Sequence, residues 1–229
     1  MEELKTLVEQ TTERLIYFIK EHNLTIGDKL PNEYELSAYL EVGRSTVREA
    51  VRALVSRNIL EVRQGAGTFI SERKGIATDP LGFSLIKDQA QMIRDLFELR
   101  YLLEPKMAAL AAKNATAEQI DLLVELANKI EESFYQGNQA HVQWDIAFHK
   151  VIAEASGNVA LSHIMPIINQ SIALFNQNYN SETLKVETVE LHKEIVDAIQ
   201  ARDELAAFDA MTIHMLSNRR EVRKIMKNN

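Results

Sequence analysis

The 229-residue chain contains no cysteine. Disulfides and thiolate metal sites are thereby excluded, any bound metal must be held by nitrogen or oxygen, and the composition suits a reducing cytoplasm, the expected location. Long uncharged apolar runs are missing too, which predicts a soluble protein of one or two domains with no membrane span. Met1 is followed by Glu2-Glu3 rather than by a basic segment and an apolar run, so no signal peptide is expected. Internal repeats and low-complexity tracts are absent. Nor is there an overall positive charge: the net value of -7 argues against a protein that coats nucleic acid indiscriminately.

Basic charge is local instead. From Arg44 to Lys74 there are seven Lys/Arg (residues 44, 48, 52, 57, 63, 73 and 74) against three Asp/Glu (residues 49, 61 and 72). A phosphate senses charge within a Debye length of ~8–10 Å, so this stretch matters more to it than the whole-chain balance. Within it, GRSTVREAVRALVSRN (43–58) places Val47, Ala50, Val51, Leu54 and Val55 at helical spacing along one side. Arg44, Arg48 and Arg52 recur every four residues on the other. Like charges so spaced repel by roughly 0.2–0.5 kcal/mol per pair, which suggests that an outside anion compensates them. A helix presenting Arg44, Ser45, Thr46 and Arg48 near its N-terminus suits phosphates and base edges.

The flanks complete a motif. Asn32 and Glu35 form a capping-box pattern opening a short helix whose buried side is expected to be Leu36, Tyr39 and Leu40. Glu41-Val42-Gly43 is the turn into the arginine helix. Ile59–Val62 and Thr68–Ile70 read as short strands joined by Arg63-Gln64-Gly65-Ala66-Gly67, a hairpin whose glycines permit positive φ. Helix, turn, helix and glycine-tipped hairpin make a winged helix-turn-helix. Residues 1–21 supply a preceding helix with Leu4, Leu7, Val8, Leu15, Ile16 and Ile19 facing inward.

The segment LPNEYELSAYLEVGRSTVREAVRALVSRNILEVRQGAGTFI, with its Arg-x-Thr-Val-Arg-Glu-Ala and Gly-x-Gly-Thr-Phe motifs, resembles the DNA-binding domain of the GntR family of bacterial transcription regulators. The resemblance implies that Arg44, Thr46 and Arg48 contact DNA from the recognition helix and Gly65 from the wing tip, where Gln64 neighbours it. Two positions depart from the pattern: Tyr34 stands where the family usually has a DNA-contacting Arg, and Gly43 replaces a common Ser or Thr, which loosens the helix cap.

Residues 71–80, SERKGIATDP, are polar and aperiodic and read as a linker. The expected division is a winged domain over 1–74, a connector over 75–80 and an all-α bundle over 81–229. The bundle's helices are expected over 89–113, with Pro105 kinking or splitting it, then 116–135, 138–155, 159–179 with a possible kink at Pro166, 183–200 and 204–226.

Inside the bundle, Asp145 and His149 are four residues apart on one helix face among Trp144, Phe148, Val151 and Ile152, while His192 and His214 lie on two later helices. A carboxylate and three imidazoles brought together suit zinc, nickel or manganese. Spacing alone leaves this open against ordinary hydrogen-bonded histidines, and His141, one turn before Asp145, competes as a ligand. DLFELRYLLEPKMAALAA, WDIAFHKVIAEASGN, ELHKEIVDAI and MTIHM resemble, in order, the FCD effector domain of the FadR-type branch of the GntR family. That resemblance implies a divalent metal on Asp145, His149, His192 and His214, and a small carboxylate taking its open positions. Arg100 is then a natural bidentate partner for the carboxylate; a salt bridge to Glu98 or Glu104 is the alternative.

The expectation is therefore a homodimeric, metabolite-responsive regulator, more often a repressor, reading a palindromic double-stranded operator. Two rivals are a metalloenzyme using the Asp/His3 site and a regulator for which the metal itself is the signal. No base-bearing motif such as His-Glu-x-x-His accompanies the ligands, so an enzyme is not expected.

Overall fold

The computed structural model describes residues 5–73, 75, 81–137, 139–178 and 182–225. The chain divides into two compact units, Met1–Gly82 and Phe83–Asn229. Of the expected connector at 75–80, only Gly75 lies among the described residues.

The first unit is built from α1 (Leu7–Glu21), α2 (Glu33–Leu40), α3 (Arg44–Ser56) and an antiparallel hairpin of β1 (Leu60–Arg63) and β2 (Gly67–Ile70). Helix α1 begins at Leu7 rather than at the chain start, because Thr6 and Glu9 close a capping box there; Met1–Leu4 lie outside the described residues. Leu7 consequently sits in the exposed first turn instead of facing inward. Leu15, Leu36, Leu40, Val47, Leu54 and Leu60 are buried in one small core, with Ile16, Ile19 and Val55 packed at its edge. Tyr39 does not join that core as expected: it stands on the surface with its ring edge-on to Phe18 at 5.0 Å and its hydroxyl donating to Glu21 at 3.1 Å.

The turn between α2 and α3 falls at Glu41-Val42-Gly43, as expected. The left-handed residue is Glu41 (φ 53°), while Gly43 is extended (φ −62°). At the hairpin, in contrast, the glycine is required. Gly67 has φ 122°, and a Cβ there would lie 2.7 Å from Lys29 Cε. Lys29 bridges Phe69 across the base of the wing.

The second unit is helical throughout its described residues, apart from turns. Its α-helices are α4 (Gln89–Asn114), α5 (Ala117–Tyr135), α6 (His141–Ala155), α7 (Val159–Ile168), α8 (Gln170–Asn178), α9 (Glu182–Gln200) and α10 (Glu204–Ile225). Helix α4 runs through Pro105 as one assigned helix. Thr116 caps α5 through the expected box with Gln119. The helix expected over 159–179 is instead two, and the break falls at Asn169, three residues after Pro166. A single apolar core built on Met107, Leu123, Ile130, Phe148, Ile152 and Ile199 holds these helices together.

Candidate functional site

The surface of α3 is a positive ledge already partly neutralised. Val47, Ala50, Val51 and Leu54 bury one side, leaving Arg44, Ser45 and Arg48 exposed and Thr46 half-buried. The Arg48 guanidinium is held by Glu33 at the start of α2, with Nε 3.0 Å and 3.2 Å from the two carboxylate oxygens and Nη2 at 2.7 Å. Arg52 pairs with Glu49 at 2.8 Å. The self-repulsion inferred for the arginine row is thus offset within the protein at two of its three positions, and among the described residues only Arg44 has no carboxylate partner. Hydrogen bonds from Arg48 outweigh the slight burial of Glu33 and hold its carboxyl below the usual carboxylate range. Gly43 gives α3 no side-chain cap. Its first-turn N–H groups and the positive end of the helix dipole are therefore available to an anion. Gln64 and Gly65 (φ 72°) are exposed at the wing tip. At its base Arg63 lies over the Phe69 ring at 4.3 Å and pairs with Glu61 at 2.7 Å. Tyr34 is exposed and offers a ring and hydroxyl instead of a charge.

In the helical unit the predicted polar residues come together. Asp145 and His149 from α6, His192 from α9 and His214 from α10 converge, and one ring nitrogen from each histidine lies within 4.8 Å of the others. Asp145 Oδ1 is 3.4 Å from His149 Nε2 and 3.3 Å from His192 Nε2. All three histidines are buried. Asp145 Oδ1, His149 Nε2, both nitrogens of His192 and His214 Nδ1 lack a well-formed hydrogen bond, whereas His149 Nδ1 lies 2.6 Å from Glu104 Oε2. Leaving that many buried polar atoms unmatched is costly, at about 1–3 kcal/mol each, and native proteins rarely do so without a ligand, ion or water to meet them. Imidazole nitrogens and a carboxylate oxygen are the donor set a divalent transition ion prefers, so these residues fit such an ion. His141 does not take part; its ring packs on Phe134 with centroids 4.4 Å apart.

Electrostatics define the chemistry further. Burial opposes ionisation of Glu104, but Arg100 and His149 beside it outweigh that and bring its carboxyl down to about 2. Asp145 is likewise held well below its ordinary value, its histidine neighbours overcoming desolvation. Burial lowers His192 to about 4 despite Asp145, and it lowers His214 further, with the other histidines adding to the effect. His149 moves the other way: burial works against its charge, yet contact with Glu104 and Asp145 raises it. Neutral His192 and His214 facing the anionic Asp145 are the protonation states a cation needs, and an ion there would have to displace any proton that His149 holds.

Arg100 is buried, and its nearest partner is the alternative weighed from the sequence. Nε lies 2.6 Å from Glu104 Oε1, and Nη2 is at 3.5 Å from Oε2. Glu98 contacts Arg223 instead. Glu104 Oε2 in turn sits 2.6 Å from His149 Nδ1. Sequence reading named Glu104 only as a partner for Arg100 and missed this second contact. The i, i+4 spacing of Arg100 and Glu104 was the available signal, but nothing in it distinguishes a buried pair from a surface one. Asn218, 3.3 Å from His214 Nε2 through Nδ2, was also missed.

A winged helix-turn-helix followed by a helical bundle that encloses a polar cluster defines a two-domain transcription regulator. Residues 7–70 match the bacterial regulatory proteins of the gntR family, and residues 95–217 match the FCD domain. The HTH-type transcriptional repressor NanR of Citrobacter rodentium is 33% identical over 225 residues, covering 93% of this chain and 84% of that protein. Its Salmonella typhimurium counterpart is also 33% identical, over 93% and 83%. A solved Streptococcus agalactiae GntR structure shares 49% identity and superposes with a TM-score of 0.81, covering 93% of this chain and 99% of that one. Escherichia coli McbR/YncC, at 21% identity and a TM-score of 0.51, shares the fold. The chain belongs to the GntR family and carries an FCD domain; the families and relatives it matches are transcription regulators, not enzymes.

Proposed function

We propose that this chain is a cytoplasmic repressor that binds a palindromic operator as a homodimer and leaves it in response to a small carboxylate held at a divalent metal in the helical unit. Arg44, Ser45, Thr46 and Arg48 would enter a major groove, with Gln64 and Gly65 contacting the flanking backbone or minor groove. The names of its relatives support repression. The observation that carries the sensing half is the convergence of Asp145, His149, His192 and His214 with buried atoms left unpartnered. A zinc, nickel or manganese ion there would supply a Lewis-acid position for a carboxylate oxygen.

The protein's own residues do the rest. Glu104, 2.6 Å from Nδ1 of His149, favours the tautomer that leaves Nε2 toward the cluster, the arrangement by which carboxylates commonly orient metal-binding histidines. Arg100 keeps Glu104 ionised and spends its Nε edge on it. Its contact with the effector would use the opposite edge of the guanidinium, so Arg100 would both position the cluster and orient the carboxylate. The coupling requires that the effector bind the operator-competent and operator-free arrangements with different affinity.

Operator binding followed by fluorescence anisotropy tests this reading. The protein would be stripped with chelator, reloaded with zinc, then titrated with a carboxylate panel. Metal reloading alone should leave operator affinity within a few-fold, and at least one carboxylate should weaken it only when metal is present. Release by metal alone would make the ion itself the signal and overturn the carboxylate reading.

A further inference from the structure

The space that a side chain would fill at Gly67 is taken by a lysine. A Cβ there would lie 2.7 Å from Lys29 Cε and 3.5 Å from its Nζ, so the Lys29 stem runs over bare glycine backbone. Residues 28–30 lie along β2 as an added extended strip. The Leu30 N–H donates to the Thr68 carbonyl at 2.8 Å, the Ile70 N–H donates to the Asp28 carbonyl at 2.9 Å, and Lys29 is the bridge partner of Phe69 between them. Bridge partners share a face of the sheet, and faces alternate along each strand. Leu30, Leu60 and Ile70 therefore face the core, whereas Lys29, Glu61, Arg63 and Phe69 face outward. Starting opposite Phe69, the Lys29 side chain reaches Gly67, two residues nearer the wing tip. Its ammonium thus leans toward the tip.

The other cation on that face is occupied: Arg63 pairs with Glu61 at 2.7 Å and lies over the Phe69 ring. Lys29 is exposed and forms no ion pair with any described residue. Most exposed lysines are simply solvated, but two features set this one apart. Its stem is seated in a gap that only glycine leaves, so part of the side-chain freedom that binding would cost is already lost. It also stands just ahead of α2, where Asn32 caps the helix and Glu33 holds Arg48 of α3. Lys29 therefore lies on the stretch of chain that joins the wing to the start of α2, beside the arginine helix.

We infer that Lys29 is a further DNA-binding residue, its ammonium contacting a backbone phosphate where the duplex passes from the groove holding α3 to the wing. The inference rests on the reading that α3 and the wing both engage the duplex, and it adds a contact that needs neither metal nor effector. An ammonium is a point charge with three donors, which suits a phosphate without demanding one geometry. A phosphate contact fixes the protein's register on DNA but carries no sequence information. Its signature is counterion release, read as the dependence of affinity on salt.

Salt titrations of the full chain by fluorescence anisotropy test it with two probes: the tightest duplex recovered from a random-sequence library, and a scrambled duplex of the same length. Lys29→Met keeps the stem and removes the charge. It should weaken both probes by the same factor, with a salt slope shallower by about 1, so that its deficit shrinks roughly tenfold for each tenfold rise in salt. Lys29→Arg should keep the wild-type slope, and the unfolding curve of Lys29→Met should match wild type. Wild-type affinity and slope in Lys29→Met overturn this inference and leave the α3 and wing reading standing. A loss confined to the selected duplex with an unchanged slope overturns it too, as does a lower unfolding midpoint with an unchanged slope, which makes Lys29 a clamp for the wing. Wild type that binds neither probe overturns the DNA reading and this inference with it. Should Lys29→Met fail to fold, Lys29→Gln, also uncharged, decides the matter by the same slopes.

Discussion

The winged unit and the helical unit handle charge in opposite ways. In the first, arginines sit at the surface, paired with exposed carboxylates such as Glu33 and Glu49 that can exchange for phosphate at little expense. In the second, Arg100, Glu104 and three histidines are buried, and several of the histidine nitrogens lack a well-formed hydrogen bond. A surface built for DNA can tolerate loss of a charge, because water replaces the partner. A buried cluster cannot. The contrast teaches that mutation of the two sites should fail in different currencies, binding in the one and folding in the other.

The sharpest test of that contrast is the buried pair. Glu104→Ala leaves Arg100 as an uncompensated buried charge and should destabilise the helical unit by about 3–5 kcal/mol, whereas replacing both partners with apolar residues should restore much of the loss. Trp144, the only tryptophan, lies on α6, so its fluorescence during urea unfolding reports this unit. The matching change in the winged unit, Glu33→Ala, should leave unfolding unchanged by circular dichroism. Equal losses from both would erase the distinction.

Metal removal comes next in size. At a hundred times its Kd an ion adds about 2.7 kcal/mol, so chelation should lower the unfolding free energy read from the Trp144 transition by that order. His149→Ala and His214→Ala should no longer respond to chelator. The isolated winged segment, which holds none of the cluster residues, should keep weak, metal-independent operator binding.

Arg48→Ala should weaken operator binding roughly ten- to a hundredfold without changing the unfolding curve, since the residue lies on the open face of α3. A titration at several salt concentrations separates base reading from phosphate contact: loss of a phosphate contact alone reduces the salt slope by about 1. The smallest effect expected is at Gly43. Gly43→Ser supplies the missing cap of α3 and should stabilise the winged unit by only a few tenths of a kcal/mol, measured by the same circular dichroism curve.

Much of the winged unit was legible because its signals are local. The apolar stripe of α3, the capping boxes at Asn32 and Thr116 and the glycines of the wing each depend on neighbours within a few residues. What escaped was conformational or tertiary. Nothing marks Glu41 as a residue that turns left-handed, and the place of Tyr39 at the surface, edge-on to Phe18 of another helix, is a tertiary fact. In the helical unit the four proposed ligands stood out by residue type, and only the resemblance to the FCD domain made them a ligand set, while Asn169, Ser171 and Asn218 are ordinary polar residues whose burial becomes visible only when the helices are assembled. The break at Asn169 was not expected; the sequence offered only a possible kink at Pro166, because a proline advertises itself and an asparagine does not.

The central claim is that the helical unit holds a divalent ion on Asp145, His149, His192 and His214. Elemental mass analysis of the full chain, reconstituted with zinc and desalted, tests it most directly. Wild type should carry one ion per chain, and a His149→Ala/His214→Ala double variant should carry none. Wild type that retains no ion after reconstitution, or a double variant that retains as much as wild type, would contradict it.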